Sequence, residues 1–413
     1  MSDITQNRKL LAERVALLGD ETVFKVAAEA YAAAAAGQKV YPFHMGNVGF
    51  PTPQNIVDAM NKAIRDGKTG YCLPAGVPEL REAIAEDVGR ARGLTYGPEN
   101  VAIQPGGKPV IGKFLLALMD PGDEVLYPNP GFPIYSSLIG YLGGVPVPYT
   151  YRETATRMEP DLDSLERGLT SRTRLLILND CQCPTGAEFT VDELERLAGL
   201  VREHDLRVLC DEAYFDIRLD GGRSRSLASL PGMQERCVIL FTFAKKYAMG
   251  GWRLGASIAP VALTDVFIKL NTNMESCTNH FTQYAAAEAL TGDQSGAQQI
   301  LAVLKQRRDV GARLLNATEG VTCLTPDTTF YLYPNVTGAM KNGGFTDYET
   351  FRRAVLKETG VSMCTRAHFG DPLAGEDQFY LRLSYSGIES DQIEEGLTRM
   401  KAYLESGRRE PKH

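Results

Sequence analysis

The only tryptophan of the chain lies in the segment Thr242-Phe243-Ala244-Lys245-Lys246-Tyr247-Ala248-Met249-Gly250-Gly251-Trp252-Arg253-Leu254-Gly255. It follows the apolar run Val238-Ile239-Leu240-Phe241, which is typical of a buried strand. The change to polar and glycine residues after this run indicates that the strand ends there. Lys245 is therefore expected just beyond the carboxyl end of a strand, where open α/β sheets bind their ligands.

Four other apolar runs end in polar or glycine residues in the same way: Val101-Ala102-Ile103 before Gln104-Pro105-Gly106-Gly107, Glu124-Val125-Leu126-Tyr127 before Pro128-Asn129-Pro130-Gly131, Leu175-Leu176-Ile177-Leu178 before Asn179-Asp180, and Arg207-Val208-Leu209-Cys210 before Asp211-Glu212. Helical patterns separate such runs, as between Pro78 and Gly93. Alternating strands and helices predict an α/β domain with a mainly parallel sheet. Because parallel strands end at one edge of the sheet, we expect these polar residues to share one site.

The last hundred residues have a different pattern. Thr329-Phe330-Tyr331-Leu332-Tyr333 and Phe379-Tyr380-Leu381-Arg382-Leu383-Ser384 have the composition of strands. We therefore predict an N-terminal arm and part of a small domain in residues 1–55, a large domain in residues 56–305, and the small C-terminal domain in residues 306–413.

Composition narrows the class of protein. The chain has 413 residues, 44% of them hydrophobic and 23% charged, with a formal net charge of -7. This charge argues against a nucleic-acid partner, which requires a basic face. No run approaches the roughly 20 apolar residues that cross a bilayer, and the chain start lacks a signal peptide pattern. We expect a cytoplasmic protein without a membrane partner.

Eight cysteines do not form the pattern of a disulfide framework in a chain of this size. Cys181 and Cys183 are separated by one residue, whereas zinc sites have spacers of two to four residues, and there is no second cluster. We expect no metal site.

Taken in order, these motifs resemble those of the class I/II aminotransferases, the aspartate aminotransferase superfamily of fold-type I pyridoxal-phosphate enzymes. The resemblance extends from about Gly46 to Arg382. It implies a large α/β domain with a mainly parallel central sheet flanked by helices, and a smaller α+β domain built from the two chain ends. It also implies covalently bound pyridoxal 5'-phosphate and a homodimer.

The resemblance assigns catalysis to three residues. Lys245 stands eight residues before Arg253, as the family's anchoring lysine does, whereas Lys246 is out of register by one. A lysine that forms a Schiff base must lose its proton, and burial beside other cations lowers its pKa. Asp211 is implied to hold the ring nitrogen protonated, and Tyr214 to reach the ring hydroxyl. The alternative for Asp211 is a strand-end carboxylate that caps a helix, but its position after an apolar strand favours the cofactor role.

The other implied cofactor contacts divide between the phosphate and the ring. Glycines let a backbone approach a phosphate closely, and a helix start attracts it. The phosphate ligands implied by the resemblance are Gly106, Gly107, Lys108, Thr242, Arg253 and, from the partner subunit, Tyr71; the ring contacts are Phe132, Asn179 and Cys183.

Arg382 is implied to bind the substrate α-carboxylate, with Gly46 close to the same group. An arginine inside an apolar strand is costly to bury without an anion, which supports this role; an internal ion pair is the alternative.

Several positions depart from the family pattern. Cys183 stands where the family has an asparagine that donates to the ring hydroxyl, and a thiol is a weak donor. Ala244 replaces a common serine. Near the chain end, Arg366 and His368 are expected either to contact a substrate side chain or an anionic group, or to be solvated loop residues.

The sequence thus predicts an aminotransferase that acts on an L-amino acid by Schiff-base exchange with Lys245 and abstraction of the α proton. The alternative is elimination, replacement or cyclisation at the β or γ carbon, which the loss of an asparagine at Cys183 keeps open. A regulatory protein with this fold would need a DNA-binding segment, for which the forty-odd residues before Gly46 are too short.

Overall fold

The computed structural model describes residues 11–406, which contain fourteen strands and thirteen α-helices. The strands are β1 (Tyr41–Pro42), β2 (Val101–Gln104), β3 (Glu124–Pro128), β4 (Val145–Tyr149), β5 (Tyr151–Glu153), β6 (Met158–Pro160), β7 (Thr173–Asn179), β8 (Arg207–Asp211), β9 (Cys237–Thr242), β10 (Gly255–Ile258), β11 (Tyr331–Leu332), β12 (Val361–Ser362), β13 (Cys364–Thr365) and β14 (Leu381–Ser384). The helices are α1 (Val23–Ala35), α2 (Gln54–Arg65), α3 (Pro78–Arg92), α4 (Lys108–Leu118), α5 (Ile134–Tyr141), α6 (Leu162–Arg167), α7 (Val191–Glu203), α8 (Val261–Met274), α9 (His280–Thr291), α10 (Ser295–Asn316), α11 (Thr337–Gly343), α12 (Tyr348–Thr359) and α13 (Ser390–Glu405).

The central sheet has seven strands in the order β2-β10-β9-β8-β7-β3-β4. Neighbouring strands are parallel except at β10, which is antiparallel to both β2 and β9. The five strands expected from apolar runs are β2, β3, β7, β8 and β9, and all five run in the same direction. Their carboxyl ends therefore meet at one edge of the sheet, and the predicted α/β fold is confirmed.

Helices cover both faces of this sheet, and a separate hydrophobic cluster lies on each face. Helix α3 shows how one of these helices packs. A proline begins the helix, and the apolar side chains of Leu80, Ile84 and Val88 form one fully buried stripe. Gly93 ends the helix with a φ of 69°, a left-handed conformation that glycine adopts without steric cost. The stripe packs into a cluster that also contains the inner residues of β2 and β9.

A second group of elements has its own sheet and core. The three-stranded sheet has the order β11-β14-β13, and a further hydrophobic cluster packs around it. Strand β1, near the start of the chain, pairs in parallel with β12, so both chain ends contribute to this smaller α+β unit. Helix α10 continues across residue 305, and the exact domain limits at residues 55 and 305 stay a prediction.

Within residues 11–406, no helix combines the length and apolarity that a membrane span requires. All eight cysteines are free thiols.

Candidate active site

A cavity of about 400 Å³ lies where the central sheet ends and the smaller sheet meets it. All predicted site residues except Gly106 and Tyr71 line this cavity: Gly46, Gly107, Lys108, Phe132, Asn179, Cys183, Asp211, Tyr214, Thr242, Lys245, Arg253 and Arg382. The carboxyl ends of β7, β8 and β9 supply Asn179, Asp211 and Thr242 directly. The chain thus brings together residues that are more than 300 positions apart.

Lys245 and Lys246 occupy different environments. The Lys245 Nζ lies 3.4 Å from the carbonyl oxygen of Gly46 and lines the cavity. Burial lowers the pKa of Lys245, and the nearby cations Arg382 and Lys108 lower it further, against the opposing effects of Cys183 and Asp211. A lowered pKa is what a lysine needs to act as a nucleophile or base near neutral pH.

Lys246, by contrast, lies outside the cavity lining. Its Nζ is 4.0 Å from Oδ1 of Asp216 and 5.0 Å from the ring centre of Tyr247. Burial acts to lower the pKa of Lys246, but Asp216 and Tyr247 raise it above its ordinary value. The two adjacent lysines are therefore shifted in opposite directions, and only Lys245 is suited to lose its proton.

Asp211 is a buried carboxylate at the end of β8. Its Oδ2 accepts a 2.6 Å hydrogen bond from the Tyr135 hydroxyl, and its Oδ1 accepts from the Ala213 backbone N–H at 3.2 Å. Burial raises the pKa of Asp211, whereas these two hydrogen bonds and Lys245 lower it. No ion pair joins Asp211 to a cation within residues 11–406, so a cationic ligand at this position would be stabilised.

Asn179 links the end of β7 to the end of β8 by a hydrogen bond. Its Nδ2 donates to the carbonyl oxygen of Asp211 at 2.9 Å, and its Oδ1 accepts from the Cys183 backbone N–H at 3.1 Å. This pair of bonds fixes Cys183 relative to Asp211 at the cavity wall.

The start of α4 forms the end of the cavity that is suited to an anionic ligand. Gly107 precedes the first helical residue, and no side chain in the described part of the chain caps this helix start. Pro109 has no N–H and the Val110 N–H donates to the carbonyl oxygen of Gly107, so the N–H groups of Gly107 and Lys108 are the ones available to an anion here. At Gly106, φ is 99°, and a Cβ would lie 2.3 Å from Nη2 of Arg253. Only glycine allows the guanidinium to approach so closely.

The Lys108 side chain does not extend towards Arg253. Its ammonium group forms an ion pair with Glu21, which lies before α1, and is 5.2 Å from the ring centre of Phe132. Sequence reasoning did not identify Glu21, which lines the cavity together with Val23 and Phe24.

Arg382 is buried without a carboxylate partner within residues 11–406. Its Nη2 donates to the carbonyl oxygen of His44 at 2.8 Å, and its Nε is buried without a hydrogen-bond acceptor. The guanidinium carbon lies 4.8 Å from the ring centre of Tyr331 and 5.0 Å from that of Phe369. The alternative of an internal ion pair is thus not seen, and the unsatisfied guanidinium is suited to a ligand carboxylate.

Tyr214 shares the cavity wall with residues that the sequence motifs did not identify. Its hydroxyl forms a 2.7 Å hydrogen bond with the Tyr331 hydroxyl, and its ring packs edge-on against Phe330. Tyr331 and Tyr135 belong to no motif in the sequence, and only the folded chain reveals their contacts with Tyr214 and Asp211.

Arg366 and His368 are not solvated loop residues, and each lies beside a carboxylate of the chain itself. Neither lines the cavity, and both are buried rather than solvated. Arg366 pairs with Glu376 at 2.6 Å, and the Nε2 of His368 lies 3.6 Å from Glu349. The Arg366–Glu376 ion pair lies within the loop after β13, whereas burial lowers the pKa of His368, so its contact with Glu349 is not an ion pair near neutral pH. Tyr71 is 88% exposed on the surface of the chain, outside the cavity.

The model of the family described as aminotransferase class I and II matches residues 38–400. This chain belongs to the class I and II aminotransferases. A relative called aspartate/prephenate aminotransferase from Cereibacter sphaeroides is 33% identical over 401 residues, which are 95% of this chain and 98% of the relative.

Two further comparisons support this family assignment. Aromatic-amino-acid aminotransferase 2 of Thermococcus litoralis is 34% identical over 364 residues, 87% of this aminotransferase and 90% of the relative. The crystal structure of the aspartate aminotransferase from Rhizobium meliloti superposes with a TM-score of 0.87 at 28% identity, covering 96% of this chain and 98% of the other. The chain is thus a pyridoxal-phosphate-dependent transferase of fold-type I.

The cavity fits this cofactor at each of its chemical groups. The uncapped start of α4 and Arg253 provide an anion site for a phosphate. Asp211 is a buried carboxylate without an ion pair in the described chain, as a protonated ring nitrogen requires. Lys245 is the cavity lysine with a lowered pKa.

Proposed function

We propose that this aminotransferase acts on L-amino acids with uncharged side chains, with Lys245 as both the covalent anchor of the cofactor and the base for the α proton. The observation that carries the proposal is the position of Lys245, whose pKa is lowered, in one cavity with an unpaired carboxylate, Asp211, and an unpaired guanidinium, Arg382.

Each end of the cofactor has a partner in this chain. Gly107 and the N–H groups at the start of α4, with Thr242 and Arg253, would hold the phosphate, and Gly106 allows their close approach. Asp211 would hold the proton on the ring nitrogen. When bound, pyridoxal phosphate draws electrons from the α carbon of the amino acid.

Three further residues would bind the remaining faces of the cofactor ring. We assign Tyr214 to the ring hydroxyl, Phe132 to stacking on the ring, and Cys183, braced by Asn179, to the ring edge. A thiol donates a weaker hydrogen bond than an amide does, so Tyr214 is the main donor in this assignment.

The substrate carboxylate is assigned to Arg382. Its Nε has no acceptor among the described residues, and a guanidinium and a carboxylate form two parallel hydrogen bonds. Gly46 leaves space beside this group, since a Cβ there would lie 3.3 Å from Nη1 of Arg382. Once Arg382 has fixed the carboxylate, the α carbon is held near the Lys245 amine, which takes its proton.

The preference for substrates with uncharged side chains follows from the charges of the residues that line the cavity. Three of the four cations that line the cavity are already assigned: Lys245 to the cofactor, Arg253 to its phosphate and Arg382 to the substrate α-carboxylate. The fourth, Lys108, is paired with Glu21. A second substrate carboxylate finds no further unpaired cation among the residues that line the cavity. The rest of the lining is mainly apolar: Val23, Phe24, Met45, Ile111, Ala213, Leu240 and Phe369.

A homodimer is part of the proposal, with Tyr71 reaching the phosphate in the partner's site. Its support is the 88% exposure of this aromatic side chain together with the nearby exposed Leu73 and Met274. The cytoplasmic location rests on the sequence pattern alone.

The visible absorption spectrum of the purified holoenzyme tests this function as single amino acids are added without a keto acid. Phenylalanine, leucine or methionine is expected to convert the bound cofactor fully to its aminated form, and aspartate to do so poorly. Equal conversion by aspartate would contradict the predicted side-chain preference. Turnover that leaves the original spectrum restored would instead indicate elimination, replacement or cyclisation.

A further inference from the structure

Tyr331 forms the closest polar contact of Tyr214. The two hydroxyl oxygens are 2.7 Å apart, both side chains are buried, and their ring centres are 5.6 Å apart at 68°. Tyr331 lies on β11, which pairs antiparallel with the strand that carries Arg382. The smaller sheet therefore supplies a hydroxyl group directly to a side chain of the larger domain's site.

The surroundings of Tyr331 hold its hydroxyl in place. A Cβ at Gly46 would lie 2.5 Å from this oxygen, so the glycine leaves space that the hydroxyl fills. The Arg382 guanidinium lies 4.8 Å from the ring centre. The titratable and charged groups that face the Tyr214–Tyr331 pair are Cys183, Arg382, the neutral phenol of Tyr385 and, 5.4 Å from the Tyr214 ring, Lys245.

A hydroxyl group donates one hydrogen bond and accepts two. When Tyr331 donates to the Tyr214 oxygen, the single Tyr214 proton is left for an acceptor on the cavity side. Hydrogen bonds in such a chain strengthen one another in a buried environment. Cys183 is the other side chain near this pair, and its thiol is a weak donor.

We propose that Tyr331 is a positioning residue that directs the Tyr214 hydroxyl proton towards the bound cofactor. This inference rests on the proposed role of Tyr214 in binding the ring hydroxyl. A hydrogen-bond donor directed at the oxygen of the ring hydroxyl favours the ionised form of that hydroxyl. Removing the Tyr331 hydroxyl therefore disfavours this ionised form, so the ring hydroxyl loses its proton at a higher pH.

The test is a pH titration of the visible absorbance of the Tyr331→Phe holoenzyme without substrate. This variant keeps the ring over Arg382 and removes only the hydroxyl. We expect the absorbance midpoint to rise by about 0.5–1 pH unit, the effect of one net hydrogen bond. We also expect kcat to fall more than KM rises, because the carboxylate site is unchanged.

Tyr385→Phe is the matched control. The Tyr385 hydroxyl is buried and donates to the carbonyl oxygen of Thr329 at 3.2 Å, so this variant also loses one buried hydrogen bond. Its thermal midpoint is expected to fall as in Tyr331→Phe, with no change in the absorbance midpoint. Equal absorbance midpoints in Tyr331→Phe and the wild type, or a rise in KM alone, would overturn the role of Tyr331. A wild-type cofactor spectrum that no amino acid changes would instead contradict the proposed function itself.

Discussion

The hydroxyl of Tyr135 donates a 2.6 Å hydrogen bond to Oδ2 of Asp211, and both side chains are buried. Together with the Ala213 N–H on Oδ1, it gives the carboxylate two donors in a place that water does not reach freely. Burial alone raises the pKa of Asp211, and the Tyr135 hydrogen bond counteracts that rise. Tyr135 thus helps to keep Asp211 ionised, the state in which it can hold a proton on the cofactor ring.

Tyr135→Phe is expected to raise the pKa of Asp211 further. Because a carboxylate is ionised above its pKa, activity that needs ionised Asp211 is lost as the pH falls through that value. The acidic limb of kcat/KM should move to higher pH by about one to two units, which corresponds to one hydrogen bond to a charged group. The measurement is the pH profile of kcat/KM for the best amino donor.

Tyr149→Phe is the control for this profile. Tyr149 is also fully buried, and its hydroxyl donates to the carbonyl oxygen of Ile177 at 3.1 Å, away from the cavity lining. It should lower the thermal midpoint without moving the acidic limb. An unmoved limb in Tyr135→Phe would show that its hydroxyl does not tune Asp211.

Glu21→Gln is expected to change substrate selection. The substitution keeps the size of the side chain but removes the charge that neutralises Lys108. The freed ammonium should attract a second carboxylate and raise kcat/KM for aspartate roughly fivefold, the value of a partly exposed ion pair. The value for phenylalanine should stay unchanged.

Glu195→Gln makes the same change in net charge on the exposed face of α7 and serves as the control. Steady-state kinetics with both donors distinguish the two variants. If Glu21→Gln leaves the ratio of aspartate to phenylalanine activity as it was, the Glu21–Lys108 pair does not set selectivity.

Gly46→Ala is expected to disturb the carboxylate site. The new Cβ would lie 2.5 Å from the Tyr331 hydroxyl oxygen and 3.3 Å from Nη1 of Arg382, so neighbouring groups must move. Overpacking of this kind costs about 1–3 kcal/mol, and we expect both a lower thermal midpoint and a higher KM for the amino acid. Gly199→Ala in α7, where a Cβ meets no described atom within 4 Å, should instead stabilise the protein by about 0.5–1 kcal/mol. A wild-type KM in Gly46→Ala would contradict the packing of Gly46 against Arg382.

The strands of the central sheet could be predicted where an apolar run ends in turn residues, as at Thr242. Two strands give no such signal. The residues of β10, Gly255-Ala256-Ser257-Ile258, are mostly small and directly follow the lysine motif, and β4 contains two prolines. Prolines cannot donate to a ladder but are tolerated in β4, which lies at the sheet edge.

The site could be predicted as far as its residues belong to local motifs. Tyr135 and Tyr331 contact Asp211 and Tyr214 across 76 and 117 residues of chain, and no local pattern encodes such contacts. The burial of Arg366 and His368 could not be predicted, because their acidic neighbours, Glu376 and Glu349, are visible only after folding. Contacts formed on folding, rather than loop composition, decide how these two side chains are buried.

In the proposed function Lys245, and not its neighbour Lys246, holds the cofactor covalently. Borohydride reduction of the holoenzyme fixes a lysine–cofactor imine, and peptide mass mapping locates the modified residue. We predict modification of Lys245 in the wild type and in Lys246→Ala, and none in Lys245→Ala. Modification of Lys246, or an unmodified wild-type protein, would show that Lys245 is not the anchor of the cofactor.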